Sequence, residues 1–259
     1  MTWAEAILLM ISAAAAGAIN AVAGGGTLIT FPALLLARTP SVIANATSTM
    51  ALVLGTSGGV FGYRRQLGTV RVWLRRFVPV SLLGGLLGAM LLTATGEKVF
   101  SRLVPFLLLF ATVLFLGQGA FRRFAGFADK PESTPHPHDR HVWIAVIFQF
   151  LVAVYGGYFG AGIGIMMLAV FSIFTDSSIH ELNAVKAWLG IAINFVASGI
   201  LITQGLVLPV QGLALALGAL VGGFASARYS QRFDSEKLRI CVVAIGVVMV
   251  VIFTYRTFA

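Results

Sequence analysis

The sequence predicts an all-α polytopic membrane protein. It is read as two inverted-topology repeats of about five helices each, with one short glycine-interrupted segment per repeat. Three observations carry this. The 259-residue chain is 58% hydrophobic and 10% charged, and apolar runs of about 20 residues, enough to cross a hydrocarbon core as helix, recur from end to end. Basic residues collect in the connections between those runs. Polar and glycine positions of the first half recur in the second at a constant offset.

The elements follow in order. The first span is 3–22. Its AILLMISAAAAGAINAVAG has the small-residue end of a signal peptide, but Glu5 is the only charge before the apolar run, so there is no positive leader. A short segment covers 24–37, followed by spans at 43–61, 77–95 and 99–120. The long polar stretch RRFAGFADKPESTPHPHDRH (Arg122 to His141) ends the first repeat, 1–120. It serves as a cytoplasmic linker, 121–141. The second repeat, 142–259, has spans at 142–158, 183–203, 207–227 and 237–256, with a second short segment at 162–175.

Loop charge sets the orientation. YRRQLGTVRVWLRR (Tyr63 to Arg76) carries five arginines and no acid and belongs in the cytoplasm, as do the central loop and RYSQRFDSEKLR (Arg228 to Arg239). The uncharged ITQGLVLP (Ile202 to Pro209) belongs outside, and so does the connection with Glu97, Lys98 and Arg102. These assignments agree if both short segments cross, which puts both termini outside a bacterial inner membrane; re-entrant short segments, the alternative, would break the parity in each half. A net charge of +9 is then cytoplasmic retention of Lys and Arg, and nucleic acid is not an expected partner. Lipid is, and a homo-oligomer is compatible with the sequence. The single cysteine, Cys241, permits no internal disulfide.

An ungapped offset of 138 residues places Ala23-Gly24-x-Gly26 on Ala161-Gly162-x-Gly164, Asn45-Ala46 on Asn183-Ala184, Gln66 on Gln204, and Gly84-Gly85 on Gly222-Gly223. Alanine and glycine matches are cheap in a membrane protein. Two Asn-Ala pairs and two glutamines in one register are not. Matched loops carry opposite charge, and five crossings per half turn the second half over, which is the pattern of inverted-repeat transporters.

The glycines explain the short segments. Interrupted spans in corresponding positions point to a transporter's binding site, because irregular backbone survives at membrane depth only inside protein or along a cavity. Gly24, Gly25, Gly26 and Thr27 in the first half, and Gly160, Gly162 and Gly164 in the second, are therefore candidate substrate-lining turns. Their freed N–H groups would favour an anion. Close helix packing through small residues is the competing reading, and it is the stronger one for Gly84-Gly85 and Gly222-Gly223.

Polar residues gather near both segments: Asn20, Asn45, Thr47, Ser48 and Thr49 near the first, Asn183, Lys186 and Asn194 near the second. Amide and hydroxyl donors in Asn45, Thr47 and Ser48 suit an oxyanion. Helix capping by Asn45 and Asn183 is the alternative. Lys186, which aligns with Ser48, could pair with an anionic substrate, snorkel to the interface, or pair with Glu181 or Asp176. No Asp or Glu lies deep in a span, which argues against a cation or proton antiporter. His136, His138 and His141 have metal-ligand spacing, but a proline-rich charged loop with solvated histidines is the simpler account, and no metal or cofactor is expected. No P-loop or nucleophile motif appears, so neither ATP-driven transport nor enzyme chemistry is expected.

NAVAGGGTLITFPALLL, then ANATS, a basic loop, GYFGAGIGIMML and LNAVKA together resemble the sulfite exporter TauE/SafE family of membrane transporters over nearly the whole chain. The resemblance implies an inner-membrane protein of repeated halves that transports small sulfur-containing or organic anions, such as sulfite or organosulfonates. The positions that match are Gly24, Gly25, Gly26, Pro32, Asn45, Gly160, Gly162, Gly164, Asn183 and Lys186. The expected function is a secondary transporter of small anions, with export as the direction that needs no coupling. A passive anion channel and a proton-coupled uptake permease are the alternatives.

Overall fold

Hydrocarbon offers no partner to a backbone N–H or C=O, so a chain this apolar satisfies its main chain within helices. The computed structural model describes residues 3–62, 67–124, 142–174, 179–229 and 235–258, and they are helical almost throughout. The helices are α1 (Trp3–Ala23), α2 (Thr27–Leu36), α3 (Ser41–Gly62), α4 (Leu67–Phe124), α5 (Val142–Tyr158), α6 (Ile163–Phe174), α7 (Ile179–Thr203), α8 (Pro209–Tyr229) and α9 (Ser235–Phe258).

Helix α4 is two helices joined at Gly96, whose φ of 69° and ψ of 164° break the helical path. The predicted spans 77–95 and 99–120 fall in its two arms. Among the described residues, three helical stretches are long and apolar enough to cross a membrane: Trp3–Asn20, Val70–Gln118 and Glu181–Thr203. Five of the other predicted spans are shorter apolar helices, among them Thr27–Leu36 and Ile163–Ser172.

The basic segment before the fourth span is not all loop. Residues from Leu67 onward already belong to α4. Val70, Trp73 and Phe77 are buried on one stripe, while Arg71, Arg75 and Arg76 stay exposed. Apolar residues three and four apart make a helical face, and the arginines occupy the opposite one. The central linker starts as helix, since α4 runs to Phe124, and its residues 125–141, with the histidines, lie outside the described residues.

Small residues let the long helices run close together. Gly222 of α8 packs on the Ala14 carbonyl of α1, and Gly218 lies beside Met10 and Ala13. Contact positions rise together along both helices, so α1 and α8 run in the same direction. Helix α3 also follows α8: Gly212 lies beside Thr47 and Met50, and Gly55 lies beside Ala219. The first arm of α4 follows α5 in the same way. The buried Gln149 Nε2 donates to Ser81 Oγ at 2.9 Å, Gly84 lies beside Ala153, and Gly88 beside Gly157.

At one end of the bundle three connections meet. The Glu97 carboxylate accepts the backbone N–H groups of Ser41 and Val42 and the Ser101 hydroxyl. A negative charge thereby covers the orphan donors of the first turn of α3. Thr39 Oγ1 donates to Gln211 Oε1 at 3.3 Å, and Leu208 N donates to Thr47 Oγ1 at 3.1 Å. The turn after α2, the bend at Gly96 and the α7–α8 connection therefore share a face. Neither Asn45 nor Asn183 stands at an N-cap position, because α3 begins at Ser41 and α7 at Ile179.

Candidate functional site

The two glycine segments are built alike. Gly24 has φ of 76° and Gly162, at the same register position, has φ of 83°, with Gly160 at 80°. Left-handed backbone of this kind is open to glycine and costly for other residues. After each turn a short helix starts: Thr30 N donates to Gly26 O at 3.1 Å, and Met166 N to Gly162 O at 3.2 Å. The Tyr155 hydroxyl donates to Ala161 O at 2.9 Å and holds the second turn against α5.

The turns meet. A Cβ on Gly24 would lie 2.8 Å from Gly164 Cα, and one on Gly160 would lie 3.7 Å from Thr27 Oγ1. The second arm of α4 backs both: Phe115 fills the space where a Gly25 side chain would go, and Leu114 stands beside Gly162.

Beside this junction is a cavity of about 40 Å³, lined by Asn20, Gly24, Thr56, Gly164, Lys186 and Asn194, with Ile163 and Met167 among its apolar walls. It has room for about three water molecules. Lys186 is only 5% exposed. It lies two turns into α7, deeper than sequence alone indicates, and it lines the cavity. Neither Asp nor Glu is among the described residues that line it. Its described lining thus carries one lysine side chain and two carboxamides.

The remaining predicted residues are not among those that line this cavity. Asn45 is fully buried, and its Nδ2 donates to Tyr158 O at 2.9 Å, tying α3 to the end of α5. Thr47 receives the Leu208 N–H. Ser48 shares a hydrogen bond with Thr30, whose hydroxyl also lies 3.2 Å from Gly26 O. Gly26 is enclosed by Leu52, Ala16 and Asn20. Asn183 is half-buried, about one turn before Lys186.

Three polar lining residues fall outside the predicted set. Asn20 and Asn194 stood out as polar residues near the short segments but not as site residues, and Thr56 did not stand out at all. The offset of 138 that aligns the halves puts Thr56 on Asn194, and that was the available signal. Asn20 Nδ2 donates to Thr56 Oγ1 at 2.8 Å.

Comparison with known proteins gives the family. The chain matches the family described as "Sulfite exporter TauE/SafE" over residues 9–253. It is 27% identical to "Probable membrane transporter protein ORF9" of Sinorhizobium sp, over 94% of this chain and 90% of that protein. Identity is 24% to a "Probable membrane transporter protein" of Haemophilus influenzae, over 89% and 87% of the two chains. It is 23% to "Probable membrane transporter protein YfcA" of Escherichia coli K12, over 93% and 87%. No solved structure matches the chain. With its family match running almost from end to end and its apolar helices, the protein is an integral membrane protein of the sulfite exporter TauE/SafE family.

Proposed function

We propose that the protein is a secondary transporter of small sulfur-containing or organic anions, such as sulfite or organosulfonates. It works by alternating access around the cavity where the two glycine turns meet. The observation that carries this reading is Lys186, 5% exposed, lining a cavity with Asn20, Thr56 and Asn194 and no carboxylate among its described lining residues. An ionisable side chain at depth is costly, and it favours a site that uses its charge.

Matched packing supports the inverted-repeat architecture, with repeats 1–120 and 142–259. A Cβ on Gly85 would lie 3.1 Å from Ile193 O, and one on Gly223 would lie 2.6 Å from Gly55 O. Those contacts interchange under the 138-residue offset. Helices α1 and α3 follow α8, the fourth helix of the other half, while α5 follows the fourth helix of the first half. Two such halves, meeting at paired interrupted segments, can rock about the cavity. The shared face of the 37–41, Gly96 and 204–208 connections agrees with an outer face there and both termini outside a bacterial inner membrane.

Export is the favoured direction. A membrane potential negative inside drives anion exit by about 2.3 kcal/mol per charge per 100 mV. The test is efflux of sulfite and sulfoacetate from proteoliposomes, with binding followed by thermal stabilisation against sulfite, sulfate, thiosulfate, sulfoacetate, taurine, acetate and chloride. Saturable efflux that Lys186→Ala abolishes is the expected result. Large non-saturating currents would replace the transporter with a passive channel. Uptake that requires an inward proton gradient would reverse the direction. Lack of stabilisation and flux with every anion would remove the sulfur-anion reading.

A further inference from the structure

Asn20 and Thr56 form a donor relay at the wall of the cavity. The Thr56 hydroxyl donates to Leu52 O at 2.7 Å. A hydroxyl has one proton, so Thr56 Oγ1 meets Asn20 as an acceptor. That fixes the Asn20 carboxamide: Nδ2 faces Thr56 at 2.8 Å, and Oδ1 faces the Gly26 N–H at 3.5 Å. An amide orientation is assigned from its partners, and here both ends agree. One N–H of Asn20 is spent on Thr56. The second remains a neutral donor, on a residue that lines the cavity together with Lys186 and Asn194.

We propose that Asn20 is a substrate-binding donor and Thr56 the residue that positions it, so that the site selects a compact oxyanion with several acceptor oxygens over a halide. This rests on the reading of the cavity as an anion site. Lys186 gives charge without direction, since an ammonium attracts chloride and sulfite alike. Carboxamide N–H groups add direction, because each needs an acceptor lone pair along its axis. Asn194, at the register position of Thr56, supplies a carboxamide from the other half. The acceptor side of Asn20 is turned to the turn at Gly26, leaving the cavity a donor.

The test separates binding from support of the turn. Asn20→Asp keeps an acceptor for the Gly26 N–H but replaces the donor with a negative charge. Asn20→Ala removes both. Thr56→Val removes the acceptor that orients Asn20, and Thr56→Ser restores it. Sulfite affinity of the purified full-length protein, measured by titration calorimetry without oxygen, should fall at least about tenfold in Asn20→Asp. Thr56→Val should weaken sulfite more than chloride, and Thr56→Ser should bind both like the native chain. Native-like sulfite affinity in Asn20→Asp overturns the proposal, as does equal weakening of sulfite and chloride in Thr56→Val. If Asn20→Asp does not fold, the Thr56 pair decides by the same criterion. If the native chain binds no anion at all, the anion site itself has failed. If native sulfite binding is intact in both Asn20→Asp and Thr56→Val, only the role of this pair has.

Discussion

Gly24 lies directly on Gly164: a Cβ at Gly24 would come within 2.8 Å of the Gly164 Cα. The turn before α2 and the first turn of α6 touch here with no side chain between them. Gly24 also has φ of 76°, so alanine there costs about 1–2 kcal/mol in backbone strain and meets main chain that cannot rotate away. Gly24→Ala should lower the thermal midpoint and abolish anion efflux. Gly205→Ala is the control. Its φ is 68°, but a Cβ there meets nothing within 4 Å, so it should cost the strain alone and leave efflux intact. Comparing midpoints and efflux of the two variants checks both statements.

Gly25 and Phe115 test the backing of the first turn. A Cβ on Gly25 would collide with the Phe115 ring, which is fully buried. Gly25→Ala should destabilise by about 1–3 kcal/mol through overpacking. Phe115→Leu in the same chain should recover part of that loss. A double-mutant cycle of unfolding midpoints measures the coupling, and simple additivity would show that the ring does not set the limit.

Asn45 separates a structural asparagine from a ligand. Its Nδ2 is committed to Tyr158 O and it is fully buried. Asn45→Ala should lower stability by about 1 kcal/mol by removing the hydrogen bond to the half-buried Tyr158 carbonyl, while sulfite affinity of the folded fraction stays within about twofold. Calorimetry on the monodisperse fraction reads the second quantity. A large loss of affinity at unchanged stability would put Asn45 back among the binding residues.

Glu97 predicts a cap effect. With the Ser41 and Val42 N–H groups on its carboxylate, Glu97→Ala should cost about 1 kcal/mol, typical of a lost helix cap. Glu97→Gln keeps an acceptor oxygen and should cost less. The readout is the order of the unfolding midpoints: native, then Glu97→Gln, then Glu97→Ala.

The helices were legible because apolar run length leaves little choice of structure in hydrocarbon. The start of α4 was not. Five arginines read as loop, and the stripe of Val70, Trp73 and Phe77 opposite Arg71, Arg75 and Arg76 emerges only when the segment is wound at 3.6 residues per turn. At the site, Lys186 and the glycines were conspicuous because both are out of place in an apolar span. Asn45 was conspicuous for being repeated as Asn183, yet it ties helices together. Thr56 was invisible for a physical reason: a helical threonine returns its proton to its own helix, here to Leu52, and nothing local marks the one whose oxygen aims a neighbour.

The bend in α4 has a mechanical consequence. Gly96 would meet no atom if given a side chain, so the elbow is unobstructed. Its next residue, Glu97, is bolted to the first turn of α3. One arm of the crank rides on α5 through Gly84 and Gly88, and the other props Gly25 and Gly162 with Phe115 and Leu114. A corner pinned to α3 thus joins the seam between the long helices to the floor beneath the two turns.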